Sequence, residues 1–307
     1  MALPIKLNLP EDFLKEEVIC GHTVTEKNKK VWAVELDLLN ELQEVCKRHK
    51  LRWYIAYGSM IGTVRHKGFI PWDNDIDVLM PRSDFRKLCE IAPKEFKHPY
   101  FLSYAVSENG NRFSTFAKLC NSLTTGGSED MWLQGVNCGL FVDIFILDEI
   151  PDDDAKARKM VNKVNYICHF ARFLSPYKTT RKGLQLIKHL YFELAWHLKY
   201  RCCKGDKLFM IIDEICRTYE GKGYKRLCFI EGKFNPLYAH SHELWNDVIE
   251  MPFEMLHVPI PARYDTILRN RYGDYMLYPS IEARITHPYL DMEPEIPYQE
   301  FYSNRSK

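Results

Sequence analysis

Apolar residues recur at three- and four-residue spacing through Val31, Val34, Leu38, Leu42 and Val45, and the stretch ends on Lys47, Arg48, His49 and Lys50. That spacing predicts an amphipathic helix whose last turn carries cations, where the helix dipole favours them. Trp53 to Tyr57 reads as a strand, and Gly58-Ser59 as a turn into a short helical stretch through Val64. Asp75 to Met80 reads as a second strand, closed by Pro81 at the start of another helix. Phe101 to Ala105, Phe113 to Leu119 and Leu140 to Leu147 complete the predicted strands. After Pro151 the texture changes. Asp152-Asp153-Asp154 favours a helix N-terminus, the chain to about Tyr219 is helical in pattern, and Gly221 to Gly223 breaks it. Pro252, Pro259, Pro261, Pro279 and Pro288 then mark short elements joined by loops. The pattern predicts an α+β core with an N-terminal helix over 1–150, a helical segment over 151–222, and a C-terminal part, 223–307, that folds back on the core.

Composition changes this picture little. The 307 residues are 46% hydrophobic, 13% aromatic and 27% charged, enough to bury a sizeable core without a structural metal or disulfide. A formal net charge of +1 gives no bulk attraction for nucleic acid, so no nucleic-acid partner is expected. Any anionic substrate must be met by local basic residues. The ten cysteines show no two-residue spacing and several fall on apolar periodic positions, as reduced core thiols do. The N-terminus lacks the basic-then-apolar order of a signal peptide, and no stretch reaches the ~18 uninterrupted apolar residues of a spanning helix. A cytoplasmic location is therefore expected. The most apolar candidate, Gly183 to Cys203, is broken by Lys188, His189, Glu193, His197, Lys199 and Arg201; it reads either as a core helix with snorkelling lysines or as a helix resting on a membrane surface.

The chemistry concentrates between Tyr57 and Asp77. Strand residues two apart share a face, so Asp75 and Asp77 project together, with Asp73 just ahead. Aligned carboxylates repel by about 1 kcal/mol at ~4 Å even in high dielectric, and Mg²⁺ or Mn²⁺, hard cations that take carboxylate oxygens, would offset that repulsion. Asp143, flanked by Val142 and Ile144, adds an acid on another predicted strand. Three acids on two adjacent strands make a site for one or two metals bridging phosphate oxygens. Gly58 and Ser59 stand at a strand-to-helix turn, where glycine allows close backbone approach and the following N–H groups favour an anion. Arg65, His66 and Lys67 follow within one more turn as candidate phosphate contacts, and Lys118 is a candidate from the strand before Asp143. Asp73 reads equally as a ligand or substrate contact and as a turn cap beside Pro71-Trp72.

The run from Tyr57 to Val78 resembles the signature of the LicD family, bacterial phosphocholine transferases related to the animal fukutin-related protein within the nucleotidyltransferase superfamily. Phe141 to Asp148 resembles the family's second acidic segment, and Tyr272-Gly-Asp-Tyr-Met276, with Pro279 and His287 after it, its C-terminal motif. Asn74 departs from the family, in which an acid is common there. The resemblance implies a nucleotidyltransferase-fold mixed sheet flanked by helices, with the helical segment added. It also implies metal-dependent transfer of a phospho-alcohol, phosphocholine foremost, from CDP-choline or another CDP-alcohol to a sugar of a cell-surface glycan, teichoic acid or lipopolysaccharide precursor. Asp75, Asp77 and Asp143 would hold the metal, with Asp143 also the general base. A lipid-linked acceptor would bring the enzyme to the inner face of the membrane. The same carboxylates suit a true nucleotidyltransferase that releases pyrophosphate, a ribitol- or glycerol-phosphate transferase, or a non-catalytic nucleotide-binding protein. Thr124 to Gly127 reads as a turn or a phosphate loop, and Tyr272, Tyr275 and Tyr278 as helix packing or the border of a choline cage.

Overall fold

The computed structural model describes residues 3–104, 115–133, 135–171, 205–230, 234–284 and 290–305, together with Tyr191 and Leu194. The 183–203 stretch, apart from those two, lies outside the described residues, as do Cys202, Cys203 and His287.

A hairpin of β1 (Glu17–Ile19) and β2 (His22–Val24) leads into α1 (Glu26–His49). Thr25 caps this helix by accepting the Asn28 N–H at 3.2 Å, and Lys50 closes it in the left-handed region with φ 54°. The predicted apolar stripe is wider than its spacing suggests. Every residue from Val31 to Leu39 is buried, including Glu35 and Asp37. The N-terminal segment wraps the helix's other side, where the Lys6 and Leu7 N–H groups both donate to Asp37 at 2.8 Å.

Beyond α1 come β3 (Tyr54–Ile55), α2 (Tyr57–His66), β4 (Ile76–Pro81), α3 (Arg82–Glu95), β5 (Tyr100–Ser103), β6 (Ala117–Asn121), β7 (Thr125–Gly127), α4 (Glu129–Leu133) and β8 (Leu140–Ile150). The rest comprises α5 (Asp154–Ala171), α6 (Gly205–Arg217), β9 (Arg226–Phe229), β10 (His240–Ser241), α7 (Glu243–Asn246), β11 (Val248–Phe253), β12 (Leu256–Pro261), α8 (Tyr264–Tyr272), β13 (Asp291–Glu293) and α9 (Tyr298–Arg305).

The main sheet is mixed and seven-stranded, with β8 at its centre. β8 pairs in parallel with β4 and antiparallel with both β6 and β9. It runs to Ile150, past the predicted end at Leu147, because β9 pairs with Leu147 to Ile150. Alternation along the strands separates two faces. Ile76, Val78 and Met80, with Val142, Ile144 and Ile146 and with Ala117 and Leu119, enter the large core shared with α1 and α3. Leu79, Leu147 and the half-buried Phe145 turn the other way, under Trp245 of α7 and Ile267 of α8. This second face carries Asp77 and Asp143. The described part of the helical segment, α5 and α6, packs around Ile150 and Cys228 in a separate apolar cluster. No helix among the described residues is long and apolar enough to cross a membrane.

An ion-pair network ties the two clusters together. Arg82, at the start of α3, donates from Nη2 to Asp148 of β8 at 2.9 Å and from Nη1 to Asp213 of α6 at 3.0 Å, while its Nε also meets Asp148. Arg82 and Asp148 are both buried. Burial raises the Asp148 pKa, and Arg82 opposes the rise. Removing one partner of such a pair strands a buried charge. Arg82→Met should cost about 3–5 kcal/mol in urea unfolding, and pairing it with Asp148→Leu should recover much of that loss.

Candidate active site

Three strands contribute one row of charged side chains. Asp77 stands opposite Asp143 across the parallel β4–β8 ladder, and Lys118 stands opposite Asp143 across the antiparallel β6–β8 ladder. Neighbouring strands lie about 5 Å apart, so the three side chains emerge side by side on one face. Asp75, two residues before Asp77, joins them from the strand's entry. Asp73 precedes it in a tight turn: its N–H donates to the Ile70 carbonyl at 2.8 Å, and its own carbonyl accepts from Trp32 Nε1 at 3.0 Å.

The start of α2 is fitted against this turn. A Cβ on Gly58 would lie 3.0 Å from Asp73 Oδ2, tight enough that the carboxylate would have to give way. Ser59 latches the helix to β4: its Oγ accepts the Asp77 N–H at 2.9 Å and donates to the Asp75 carbonyl at 3.4 Å. The buried Ser59 hydroxyl is thus engaged with backbone, and among the described residues it acts on the acids by positioning them rather than by facing a ligand. Tyr57 opens the helix with φ 47°, a conformation rare for a bulky residue and costing on the order of 1–3 kcal/mol.

Burial first, then the charges of Asp75, Asp143 and Asp73, push the Asp77 pKa well above the usual carboxylate range, with Lys118 opposing. Lys118 Nζ lies 2.6 Å from Asp143 Oδ1 and 3.2 Å from the centroid of the Phe141 ring. A fifth carboxyl, Glu35 of α1, is 2% exposed, and its Oε2 has no hydrogen-bond partner among the described residues. Burial raises its pKa most, followed by Asp75, Asp73, Asp143 and Asp77. Its neighbour Asp37 is as deeply buried but satisfied, taking the Tyr100 hydroxyl at 2.6 Å besides its two backbone donors. Sequence reasoning missed Glu35. The signal was present, since Glu35 lies four residues after Val31 and three before Leu38, on the apolar stripe itself. Asn74 is buried, its amide donating to Met292 Sδ.

The three basic residues that follow in sequence are not brought to this row. Arg65, His66 and Lys67 lie at the C-terminal end of α2, a ten-residue helix and hence about 15 Å long. Arg65 donates to the Tyr275 and Leu277 carbonyls at 2.8 and 3.3 Å, and its charged surroundings are Tyr278, Cys20 and Arg284 rather than the carboxylates. His66 stacks on Tyr278, and burial, reinforced by Arg65, lowers its pKa to about 4, leaving it neutral. Lys67 caps the helix in the left-handed region, with its carbonyl accepting the Glu254 N–H. Thr124 to Gly127 is neither open turn nor phosphate loop: β7 pairs with β13, and Cβ atoms on Gly126 and Gly127 would collide with Leu140 and Cys138. The eight described cysteines are thiols, six of them buried.

Beside the row, the same face is aromatic. The Phe145 ring, two residues beyond Asp143, lies 4.8 Å from Phe116, 5.0 Å from Phe229 and 5.3 Å from Tyr57 between centroids. All four rings are half-buried.

These proton affinities fix a sign. A carboxyl whose pKa is raised by folding holds a proton that the unfolded chain releases, so stability falls as pH rises from the ordinary carboxylate range toward the raised folded value. In chelator, the wild-type unfolding temperature should therefore drop between about pH 5 and pH 8. Glu35→Gln should flatten that drop, with a higher unfolding temperature at pH 8 and no change near pH 4. Parallel profiles for the two proteins would rule out a buried, unsatisfied Glu35.

Residues 50–180 match the nucleotidyltransferase domain of the LicD/FKTN/FKRP family. Over 267 residues, 82% of this chain and 92% of the relative, the chain is 25% identical to the lipopolysaccharide cholinephosphotransferase LicD of Haemophilus influenzae. Uncharacterized proteins of Rickettsia prowazekii and Rickettsia typhi are each 31% identical over 72 residues, 24% of this chain and 27% and 22% of their own lengths. The matched domain contains α2, β4, β6 and β8, the elements that assemble the carboxylate row, so the similarity to the LicD/FKTN/FKRP nucleotidyltransferase domain falls on the candidate site.

Proposed function

We propose that this protein transfers phosphocholine from CDP-choline to a sugar of a lipopolysaccharide or related cell-surface glycan precursor, with a divalent cation held by Asp75, Asp77 and Asp143. The register that sets Asp77 beside Asp143 carries the reading, and the similarity to a cholinephosphotransferase supplies the transferred group.

The donor set suits Mg²⁺ or Mn²⁺. It consists of hard carboxylate oxygens, and Asp75, Asp143 and Asp73 add to the burial that raises the Asp77 pKa, with Lys118 opposing. Among the described residues no three His, Cys, Asp or Glu side chains already converge as a metal shell, and Asp143 is engaged by Lys118, so the carboxylates would reorient as Lys118 gives way. When bound, the cation would neutralise diphosphate oxygens and stabilise the departing CMP. Ser59 holds Asp75 and Asp77 in line through the backbone. Asp143 accepts the proton of the acceptor hydroxyl, and Lys118 beside it moves onto the phosphates. The half-buried ring cluster of Phe145, Phe116, Phe229 and Tyr57 favours a quaternary ammonium over ribitol or glycerol, whose hydroxyls need polar partners. A lipid-linked acceptor would place the protein at the cytoplasmic face of a membrane.

Incubation of the purified protein with CDP-choline, Mg²⁺ and acceptor glycan should release CMP. Asp77→Asn and Asp143→Asn should each lower kcat by about a hundredfold or more, and chelation should abolish turnover. Pyrophosphate as product would indicate nucleotidyl transfer instead, and near wild-type rates in both variants would sink the assignment.

A further inference from the structure

Arg271 is the penultimate residue of α8, which stops at Gly273 in a left-handed conformation with φ 68°. Its guanidinium carbon lies 4.3 Å from the Tyr57 ring centroid, 4.9 Å from Tyr238 and 5.7 Å from Tyr272. Its Nε donates to the Tyr272 hydroxyl at 3.3 Å. Most other described arginines that are buried or half-buried meet a carboxylate: Arg82 meets Asp148 and Asp213, Arg86 meets Glu220, and Arg226 meets Asp154. Among the described residues none pairs with Arg271.

The same side chain lines a cavity of about 410 Å³, walled by Tyr57, Phe229, Tyr238, Trp245 and Tyr272. That cavity adjoins the carboxylate row. Tyr57 is the residue before Gly58, which faces Asp73, and its ring meets Phe145, two residues from Asp143. The fields overlap as well: burial raises the pKa of both Tyr57 and Tyr272, Arg271 opposes the rise, and Asp77 adds to it.

A guanidinium without a counter-ion, in a low-dielectric cavity, attracts an anion that accepts two parallel hydrogen bonds. Three tyrosine faces hold the fork in place without consuming its outward N–H groups, so little ordering is left to ligand binding. Tyr57 and Phe229 border both this cavity and the ring cluster assigned to the quaternary ammonium, so the two positions adjoin.

We infer that Arg271 is a substrate-binding residue that grips the donor's diphosphate from the side away from the carboxylate row. This rests on the CDP-alcohol reading above, and it adds a second protein cation, besides Lys118, to the metal proposed there. A diphosphate would then be clamped between two positive centres, one on each side, which fixes its orientation for in-line displacement.

Calorimetric titration of inorganic pyrophosphate, CDP-choline and cytidine, with Mg²⁺ present, tests the assignment on wild type, Arg271→Ala and Arg271→Lys. Arg271→Ala should weaken pyrophosphate and CDP-choline about ten- to a hundredfold, and leave cytidine unmoved. Arg271→Lys, which keeps the charge and the ring contacts but loses the fork, should fall between and serves as the folded control if the alanine variant unfolds. Wild-type affinity for pyrophosphate in the variants would overturn the inference, and so would equal loss of cytidine binding. Arg271-dependent binding of pyrophosphate without any binding of CDP-choline would leave the anion site standing and remove the donor reading. Binding of CDP-choline at wild-type strength in both variants would do the reverse.

Discussion

Two carboxylates held about 5 Å apart on adjacent strands repel each other, and more strongly as water is excluded. The β4–β8 ladder nevertheless sets Asp77 opposite Asp143 on a half-buried face. The fold can hold this arrangement because the two strands are locked from their other side, where Ile76, Val78 and Met80 and their β8 counterparts fill the main core. Apolar burial on one face thus stabilises an electrostatically unfavourable arrangement on the other. The rise of the Asp77 pKa, to which the neighbouring acids add beside burial, and the Lys118 contact with Asp143 are two responses to that constraint.

The polar groups inside the protein divide by how they are satisfied. Asp37 takes three donors and Asp148 is met by Arg82, so each serves as a joint between segments distant in sequence. Glu35 sits one helical turn from the apolar contacts of α1 with no such donor at Oε2, and it feels the acids of the site instead. Unpartnered groups cost about 1–3 kcal/mol each; among the described residues Glu35, Tyr57 and Asn74 carry such atoms beside the row, and Gln43, Arg86, Arg226, His242 and Trp245 carry others away from it.

Much of the site was legible in order along the chain. Asp75 and Asp77 were placed on one face by the period of a strand, and Asp143 was noticed because an acid interrupts an apolar run. Arg65, His66 and Lys67 stand at the far end of α2 from the row, since nearness in sequence to Gly58 says little once a helix carries the chain about 15 Å away. The mixed α+β architecture followed from periodicity and resemblance, whereas strands as short as β3 and β10 carry too few residues to show a pattern. Arg271, Tyr238 and Phe229 were out of reach because each comes from a different late element, and only the return of β9 to the central sheet brings them beside Tyr57.

That return has a consequence for how such a protein can diversify. The ring cluster draws Tyr57 from α2, Phe116 from the entry to β6, Phe145 from β8 and Phe229 from β9, while the acids lie only on β4, its preceding turn and β8. Rings contributed singly by four elements can be exchanged one at a time, each with a local repacking cost and none moving a carboxylate. On the proposed reading, the choice of alcohol would be modular with respect to the reaction, and a lineage that keeps its acids would shift its donor by small aromatic steps.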